Sequence, residues 1–153
     1  RTLEMCYSKA PYYTQVAPLL QAVISQKEPN LARYLYCAFQ IVGAYLGITT
    51  ELLLSSELDK DSSLKAERKV IAICKLLGAA EYYNSVSGIP LYVPHRDEFT
   101  QAGIKLCFPK MREITYPQFK NEFVPNLSII DVMMFNSQEE CRRLLTEYDV
   151  TDG

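Results

Sequence analysis

The sequence predicts an α/β fold, with a short parallel sheet of about three strands, helices on both faces, and helix-rich N- and C-terminal ends. Between residues 48 and 108, short β-type segments alternate with helical patterns in the order strand, helix, strand, helix, strand. The connections are long enough for right-handed crossovers, which make such strands parallel neighbours. A chain of 153 residues suits one domain, so we expect residues 1–153 to fold as a single domain.

Helical periodicity predicts two helices before the first strand. Pro11 begins the first, whose apolar residues recur at helical spacing until about Gln26. Asn30 is suited to cap the second, and Gly47 to end it.

The predicted strands are residues 48–54, 80–84 and 104–108, each a run of β-branched, aliphatic or aromatic residues. A helix that ends at Gly78 follows the first strand, and a shorter helix that ends at Gly103 follows the second. Pro109 is expected to end the third strand.

The sequence of the C-terminal third predicts an irregular segment followed by two further helices. Residues 110–126 contain two prolines and alternating aromatics, which is typical of an excursion across the sheet edge. Ser128 is expected to begin a helix through Phe135. Ser137 and Glu140 form a capping box for a last helix, and the final YDVTDG is expected to fray.

Charge and hydropathy exclude two classes of partner. The net charge of −2 and the pI near 5.5 provide no basic field for a phosphate backbone, so we expect no nucleic-acid binding. The longest apolar run, IIDVMMF, is interrupted by Asp131 and is far shorter than the roughly 18 residues of a membrane span. We expect no membrane span.

Cysteine usage indicates a reducing compartment. The five cysteines are widely separated, form no CxxC pair, and have one histidine to accompany them. They are typical of free thiols in a cytoplasmic protein, and their spacing predicts no metal site. The sequence does not identify a cofactor.

Three loops should lie side by side at the carboxyl edge of the predicted sheet, where α/β proteins bind ligands. They are SSELDKDSS, NSVSGIPLY and PKMREITYPQF. In the second loop, Gly88 allows backbone amides to approach an anion, although Gly88 and Pro90 also suit a plain turn. Ser56 in the first loop suits either a ligand contact or a solvated turn.

Two titratable residues have both a functional and a structural interpretation. His95 stands at a predicted helix start near this edge, where it could serve as the catalytic general base or simply cap the helix. Asp131 lies between Ile130 and Val132 in an apolar helix and therefore needs a partner. That partner is either Ser128, through a capping box, or a ligand.

Several segments occur in a recognisable order, over about residues 1–146. They are SSEL, ICKLLGAAEYYN followed by SG and LY, F followed by QAGI, and then Y, QF and EFVPNLSIIDVMMFNS. Together these segments resemble the WbqC-like protein family. The resemblance implies a cytoplasmic bacterial protein whose gene is often found with genes for O-antigen or other surface polysaccharides. Transfer of an amino acid such as glycine to a sugar has been proposed for that family. Its longer members begin with a His-Gln-Pro-Asn-Tyr-like motif that has no match here, so we expect this chain to be a carboxyl-terminal portion.

The resemblance also supplies candidate substrate-binding residues by motif match. They are Ser56, Asn84, Ser87, Gly88, Tyr92 and Asp131. Similar sequences commonly have glycine where this chain has Ser87, which weakens an amide nest there but adds a hydroxyl. The resemblance assigns no catalytic role to any of these residues.

Two hypotheses follow. The first is a transferase of surface-polysaccharide biosynthesis that moves an amino acid or acyl group to a sugar, with an activated sugar or acyl donor as its small-molecule substrate. The second is a non-catalytic binding or scaffold protein of a polysaccharide gene cluster. In either case, a sheet edge left exposed would favour a homodimer.

Overall fold

The computed structural model describes residues 1–120 and 122–153, and it confirms the α/β class. In chain order its elements are α1 (Thr2–Tyr7), α2 (Tyr13–Ile24), α3 (Leu31–Leu46), α4 (Ala66–Leu76), β1 (Glu81–Tyr83), α5 (Ile89–Tyr92), α6 (Arg96–Gln101), β2 (Lys105–Met111), α7 (Ile129–Phe135), α8 (Gln138–Leu144) and β3 (Tyr148–Thr151). Short 3-10 turns cover Val86–Gly88 and Val93–His95.

The described part of the chain contains one three-stranded sheet in the order β1-β2-β3. Strand β1 pairs parallel with β2, with Glu81 opposite Lys105. This confirms the parallel pairing predicted for the second and third β-type segments. Strand β3 pairs antiparallel with β2, with Phe108 opposite Thr151, so the sheet is mixed.

The prediction of a strand over residues 48–54 is wrong, as is the prediction of a frayed tail. Residues 48–54 have no regular secondary structure, whereas Tyr148–Thr151 forms β3. A strand needs a partner edge as well as β-propensity. Because β3 occupies the edge of β2 opposite β1, the tail supplies the third strand and the apolar run ITTELLL does not.

Strand β2 continues past Pro109, where the sequence predicted its end. Strand β1 pairs with β2 only at residues 105–107, and β3 pairs only at residues 108–111. At Pro109 the strand therefore has one neighbour, and a residue without a backbone N–H is tolerated there.

The helix-end signals are confirmed. The side chain of Asn30 accepts a hydrogen bond from the Arg33 N–H, and Ser137 does the same for Glu140. Gly47 adopts a left-handed φ of 73°. The N–H of Ile48 then donates to Gly43 O at 2.8 Å, which closes α3 with a Schellman motif.

The chain divides into two compact units. Unit 1 comprises Arg1–Leu54 and Glu113–Glu147, and unit 2 comprises Ser55–Arg112 and Tyr148–Gly153. The single-domain organisation stays a prediction. Each unit has its own apolar core.

The core of unit 1 is formed by α2, α3, α7 and α8, with Val16, Met133 and Met134 fully buried. The core of unit 2 lies between α4, α6 and the sheet, where Phe99 and Phe108 are fully buried. Among the described residues, no helix combines the length and the apolar character that crossing a bilayer requires.

Candidate functional site

Three of the predicted site residues, Asn84, Gly88 and Tyr92, lie together at the carboxyl end of β1 in unit 2. The N–H of Asn84 donates to Cys107 O at 3.0 Å, which extends the parallel pairing by one residue. The Asn84 amide nitrogen donates to the Tyr82 hydroxyl at 2.8 Å, and that hydroxyl lies 3.3 Å from the hydroxyl of Tyr92. Asn84, Tyr82 and Tyr92 therefore form one polar cluster at the strand end.

Tyr82 and Tyr92 pack against the core of unit 2 as well as against each other. Their ring centroids are 5.3 Å apart in an edge-to-face arrangement, and both rings contact Phe99. Burial, followed by the hydrogen bond with Tyr92, raises the pKa of Tyr82 to about 12. The Tyr82 hydroxyl is therefore a neutral hydrogen-bonding group across the physiological pH range.

The backbone of Gly88 lies so close to the Asn84 side chain that a Cβ atom would not fit without a shift. A Cβ atom at this position would lie 2.8 Å from Asn84 Oδ1 and 3.4 Å from Cδ2 of Tyr92. The N–H of Gly88 donates to Ser85 O at 2.8 Å. That amide therefore closes the turn, whereas anion binding by the backbone amides of this loop stays a prediction.

The predicted serines lie on the surface. The hydroxyls of Ser87 and Ser85 are 2.6 Å apart, and both residues are exposed. Ser56 lies in an exposed turn of unit 2. Because residues 48–54 form no strand, Ser56 does not stand at a strand end as expected.

The one histidine of the chain lies between two carboxylates. Nδ1 of His95 is 3.1 Å from Glu98 Oε1, and Nε2 of His95 is 3.8 Å from Glu67 Oε2. Glu98 follows on α6, and Glu67 is in the first turn of α4. The Glu67 side chain is only 17% exposed, whereas that of His95 is 39% exposed. Solvent and small molecules can therefore reach the imidazole while its partners hold it in place.

The carboxylate–histidine cluster borders a groove between α4 and α6. The groove has a volume of about 540 Å³, and Arg68, Lys75, Glu98 and Gln101 are among its lining residues. Nε of Arg68 lies 3.7 Å from Glu98 Oε2. Glu98 thus connects His95 to a concave surface of mixed charge, which is a suitable place for a polar small molecule.

Glu67, His95 and Glu98 are also the described residues best placed to hold a metal ion. One ligand atom from each lies within 4.8 Å of the other two. An imidazole nitrogen with two carboxylate oxygens is a ligand set that Zn²⁺ accepts.

Asp131 belongs to unit 1, whereas the other predicted site residues belong to unit 2. The residue is 3% exposed, and its Oδ2 accepts hydrogen bonds from the Tyr116 hydroxyl at 2.8 Å and from Gln118 Nε2 at 2.7 Å. Ser128 caps α7 through the Ile130 N–H instead. The partner expected for Asp131 is therefore real, but it is the segment before α7 and not Ser128.

Asp131 contributes to a raised pKa of two neighbouring tyrosines. Burial, followed by a hydrogen bond to Asp131, raises the pKa of Tyr7 to about 12. The same two causes raise the pKa of Tyr116 further still. A carboxylate with several buried donors is typical of a structural anchor, since each donor would cost free energy if left unpaired.

A second groove lies in unit 1, along α3 and residues 48–52. Its volume is about 660 Å³ and its lining is mainly apolar, including Phe39, Val42, Leu46 and Ile48. None of the predicted site residues lines it.

Comparison with known proteins places the chain in a family. A model of the WbqC-like protein family matches residues 1–143. The chain belongs to this family. No curated protein and no solved structure matches it. The resemblance drawn from the sequence motifs is therefore confirmed for nearly the whole WbqC-like chain.

Sequence reasoning missed the partners of His95 in this WbqC-like chain. Glu98 is three residues after His95, so a helix starting at His95 would have placed the two side chains on one face. Glu67 is 28 positions earlier, and only the packing of α4 beside α6 brings it to the imidazole.

Proposed function

We propose that this WbqC-like chain is a cytoplasmic transferase of bacterial surface-polysaccharide biosynthesis, which moves an acyl or aminoacyl group from an activated donor to a sugar. Membership of the family supports the polysaccharide setting. The observation that carries the chemistry is the pairing of His95 with Glu98, a residue that also lines the groove between α4 and α6.

His95 is the proposed general base. When Nδ1–H donates to Glu98, the Nε2 lone pair is left to accept a proton. Nε2 lies 3.8 Å from Glu67, which is longer than a hydrogen bond, so that carboxylate does not use the Nε2 lone pair. Glu67 then stabilises the imidazolium that forms.

The transfer step follows from this arrangement. The sugar hydroxyl or amine attacks the acyl carbonyl carbon while its proton passes to Nε2 of His95. The bond from the carbonyl carbon to the donor's leaving group then breaks, and the leaving group takes the electron pair together with the proton from His95. The carboxylates of Glu98 and Glu67 hold the imidazole in position throughout.

The groove and the strand end provide the proposed substrate contacts. Arg68, Lys75 and Gln101 line the groove and offer donors to an activated donor or sugar. The exposed hydroxyl of Ser87 and the edge of Tyr92 lie on the segment that leads from β1 to His95. A sugar hydroxyl would pair there with the serine and pack against the ring.

The test is a turnover assay on the whole chain. An acyl thioester and a stable aminoacyl adenylate analogue serve as donors, and nucleotide-linked amino sugars serve as acceptors. Mass spectrometry detects the acylated sugar. Because a general base contributes about 10²–10⁴-fold to rate, His95→Gln should reduce turnover at least about 100-fold without a matching rise in KM.

Asp97→Asn is the matched control, since Asp97 is an exposed acid in the first turn of α6, the helix that starts directly after His95. It should retain turnover. Wild-type turnover by His95→Gln would refute the catalytic assignment. If sugars or donors raise the melting temperature of the protein but no product forms under any condition, the chain is the non-catalytic binding or scaffold protein.

A further inference from the structure

We propose that Glu67, His95 and Glu98 form a binding site for one divalent transition-metal ion of the zinc type. Bound metal would occupy an imidazole nitrogen and so switch off proton transfer by His95. The binding site stands on its own geometry, whereas the inhibitory role rests on the proposed function.

The three ligand atoms lie within 4.8 Å of one another and come from α4, from α6 and from the 3-10 turn Val93–His95. Ligand atoms of a tetrahedral ion with bonds of about 2.1 Å lie about 3.4 Å apart. Because Glu98 faces Nδ1 and Glu67 faces Nε2, one carboxylate must turn to the other's nitrogen when the ion binds. Glutamate side chains have the rotatable bonds to make such a turn.

The electrostatics favour a cation. Two carboxylates flank one imidazole, and Arg68 compensates part of their charge through Glu98 Oε2 at 3.7 Å. That contact leaves Oε1 of Glu98, the oxygen nearest His95, for the ion. Glu67 is mostly buried, with its side chain 17% exposed, so it is less free than a surface glutamate to turn into water.

The chemical types of the three ligand atoms determine which metal ions the site prefers. An imidazole nitrogen with two carboxylate oxygens suits Zn²⁺, Co²⁺ or Mn²⁺, whereas Mg²⁺ and Ca²⁺ prefer oxygen alone. Three protein ligands leave a coordination position for water. The site therefore resembles an accessible metal site more than a closed structural one.

Because the chain has one histidine, zinc binding can be read at a single residue. The experiment uses the tag-free chain in a Cys6→Ser background, which removes an exposed thiol that could bind metal independently. Titration with Zn²⁺ is followed by calorimetry and by the imidazole ¹⁵N resonances of His95, with Mg²⁺ as the comparison ion.

We expect one Zn²⁺ per chain, a shift of the His95 resonances on binding, and no effect of Mg²⁺. Loss of an outer-shell partner alone weakens metal binding by roughly 10–100-fold, so His95→Gln should weaken it at least about 100-fold. Glu67→Gln and Glu98→Gln should each weaken binding, whereas Asp97→Asn should not.

Absence of Zn²⁺ binding, or binding that leaves the His95 resonances in place, would overturn the site. These measurements need no substrate, so they stand even if the transfer assay finds no product. Where turnover is measurable, stoichiometric Zn²⁺ should abolish it, and a chelator should restore it. Full turnover by zinc-loaded protein would overturn the inhibitory role alone.

Discussion

The carboxamide of Gln118 binds Asp131 on one side and the backbone on the other. Its nitrogen donates to Asp131 Oδ2 at 2.7 Å, and its oxygen accepts from the Val124 N–H at 2.8 Å. Gln118 thus fixes the loop before α7 to the helix itself. Asp131 is the buried acceptor on which this arrangement depends.

Removal of that acceptor should destabilise unit 1. Asp131→Ala removes the acceptor of the half-buried Tyr116 hydroxyl and one of the two acceptors of Gln118 Nε2, so we expect the free energy of unfolding to fall by about 1–3 kcal/mol. Asp131→Asn retains an acceptor oxygen and should cost less. Urea denaturation measures both, with the exposed Glu122→Ala as control. Equal stability of Asp131→Ala and the parent would remove the structural role and reopen a ligand role.

The tyrosines around Asp131 predict an alkaline loss of stability. The pKa of Tyr7 is raised from 10.0 to about 12, and the pKa of Tyr116 is also raised. The folded state therefore favours the protonated phenols. This contribution is complete below pH 10 and is lost as the pH rises through the folded pKa.

Urea denaturation across this range tests the assignment. The free energy of unfolding should fall between pH 10 and pH 12, and the fall should be shallower in Tyr7→Phe and in Tyr116→Phe. Tyr148→Phe, at an exposed tyrosine of β3, is the control. A fall of unchanged steepness in both buried variants would contradict the assignment.

Gly88→Ala should destabilise unit 2 through one neighbour. Its new Cβ would meet Asn84 at 2.8 Å from Oδ1 and 3.0 Å from Cγ, so we expect a cost of about 1–3 kcal/mol. In an Asn84→Ala background those two atoms are absent, and the cost of Gly88→Ala should shrink. A double-mutant cycle on the free energy of unfolding measures this coupling, and strict additivity would show that the contact is not its source.

Two glycines of α3 should respond to alanine in opposite directions. Gly47→Ala forces a side chain into a φ of 73° and brings Cβ to 2.6 Å from Arg142 Nε, so it should cost about 1–2 kcal/mol. Gly43→Ala lies within the helix, where its Cβ makes an ordinary 3.8 Å contact with Ile48. It should stabilise by about 0.5–1 kcal/mol. Thermal denaturation of both variants is a direct check, and a shared sign would refute the comparison.

The helix ends could be predicted from the sequence, because capping residues act on backbone groups only a few positions away. Asn30, Gly47, Ser128 and Ser137 all function where the sequence placed them. The parallel pairing of β1 with β2 also follows from a short connection of predictable type.

The third strand could not be predicted in the same way. Residues 48–54 form the longer run of β-branched and aliphatic residues, yet Tyr148–Thr151 reaches the free edge of β2. Which segment wins an edge depends on the path of the whole chain, and single-segment propensity does not contain that information.

Part of the candidate site could likewise be predicted from the sequence, and part of it could not. The carboxyl end of β1 was predicted to hold Asn84, Gly88 and Tyr92, and the structure brings those three into contact. Glu67 joins His95 only through packing between helices, so no spacing rule could find it. Asp131 was singled out because a buried carboxylate must be paired, but its partners lie 13 and 15 positions earlier.

The pairing of β3 with β2 has a consequence for biosynthesis. Unit 2 takes its third strand from the last residues of the chain, after the whole second segment of unit 1. At roughly 5–20 residues per second, translation must add that segment before the sheet can close. Until then the nascent chain presents the bare outer edge of Phe108–Met111 on the ribosome, where chaperones that bind extended backbone would find it.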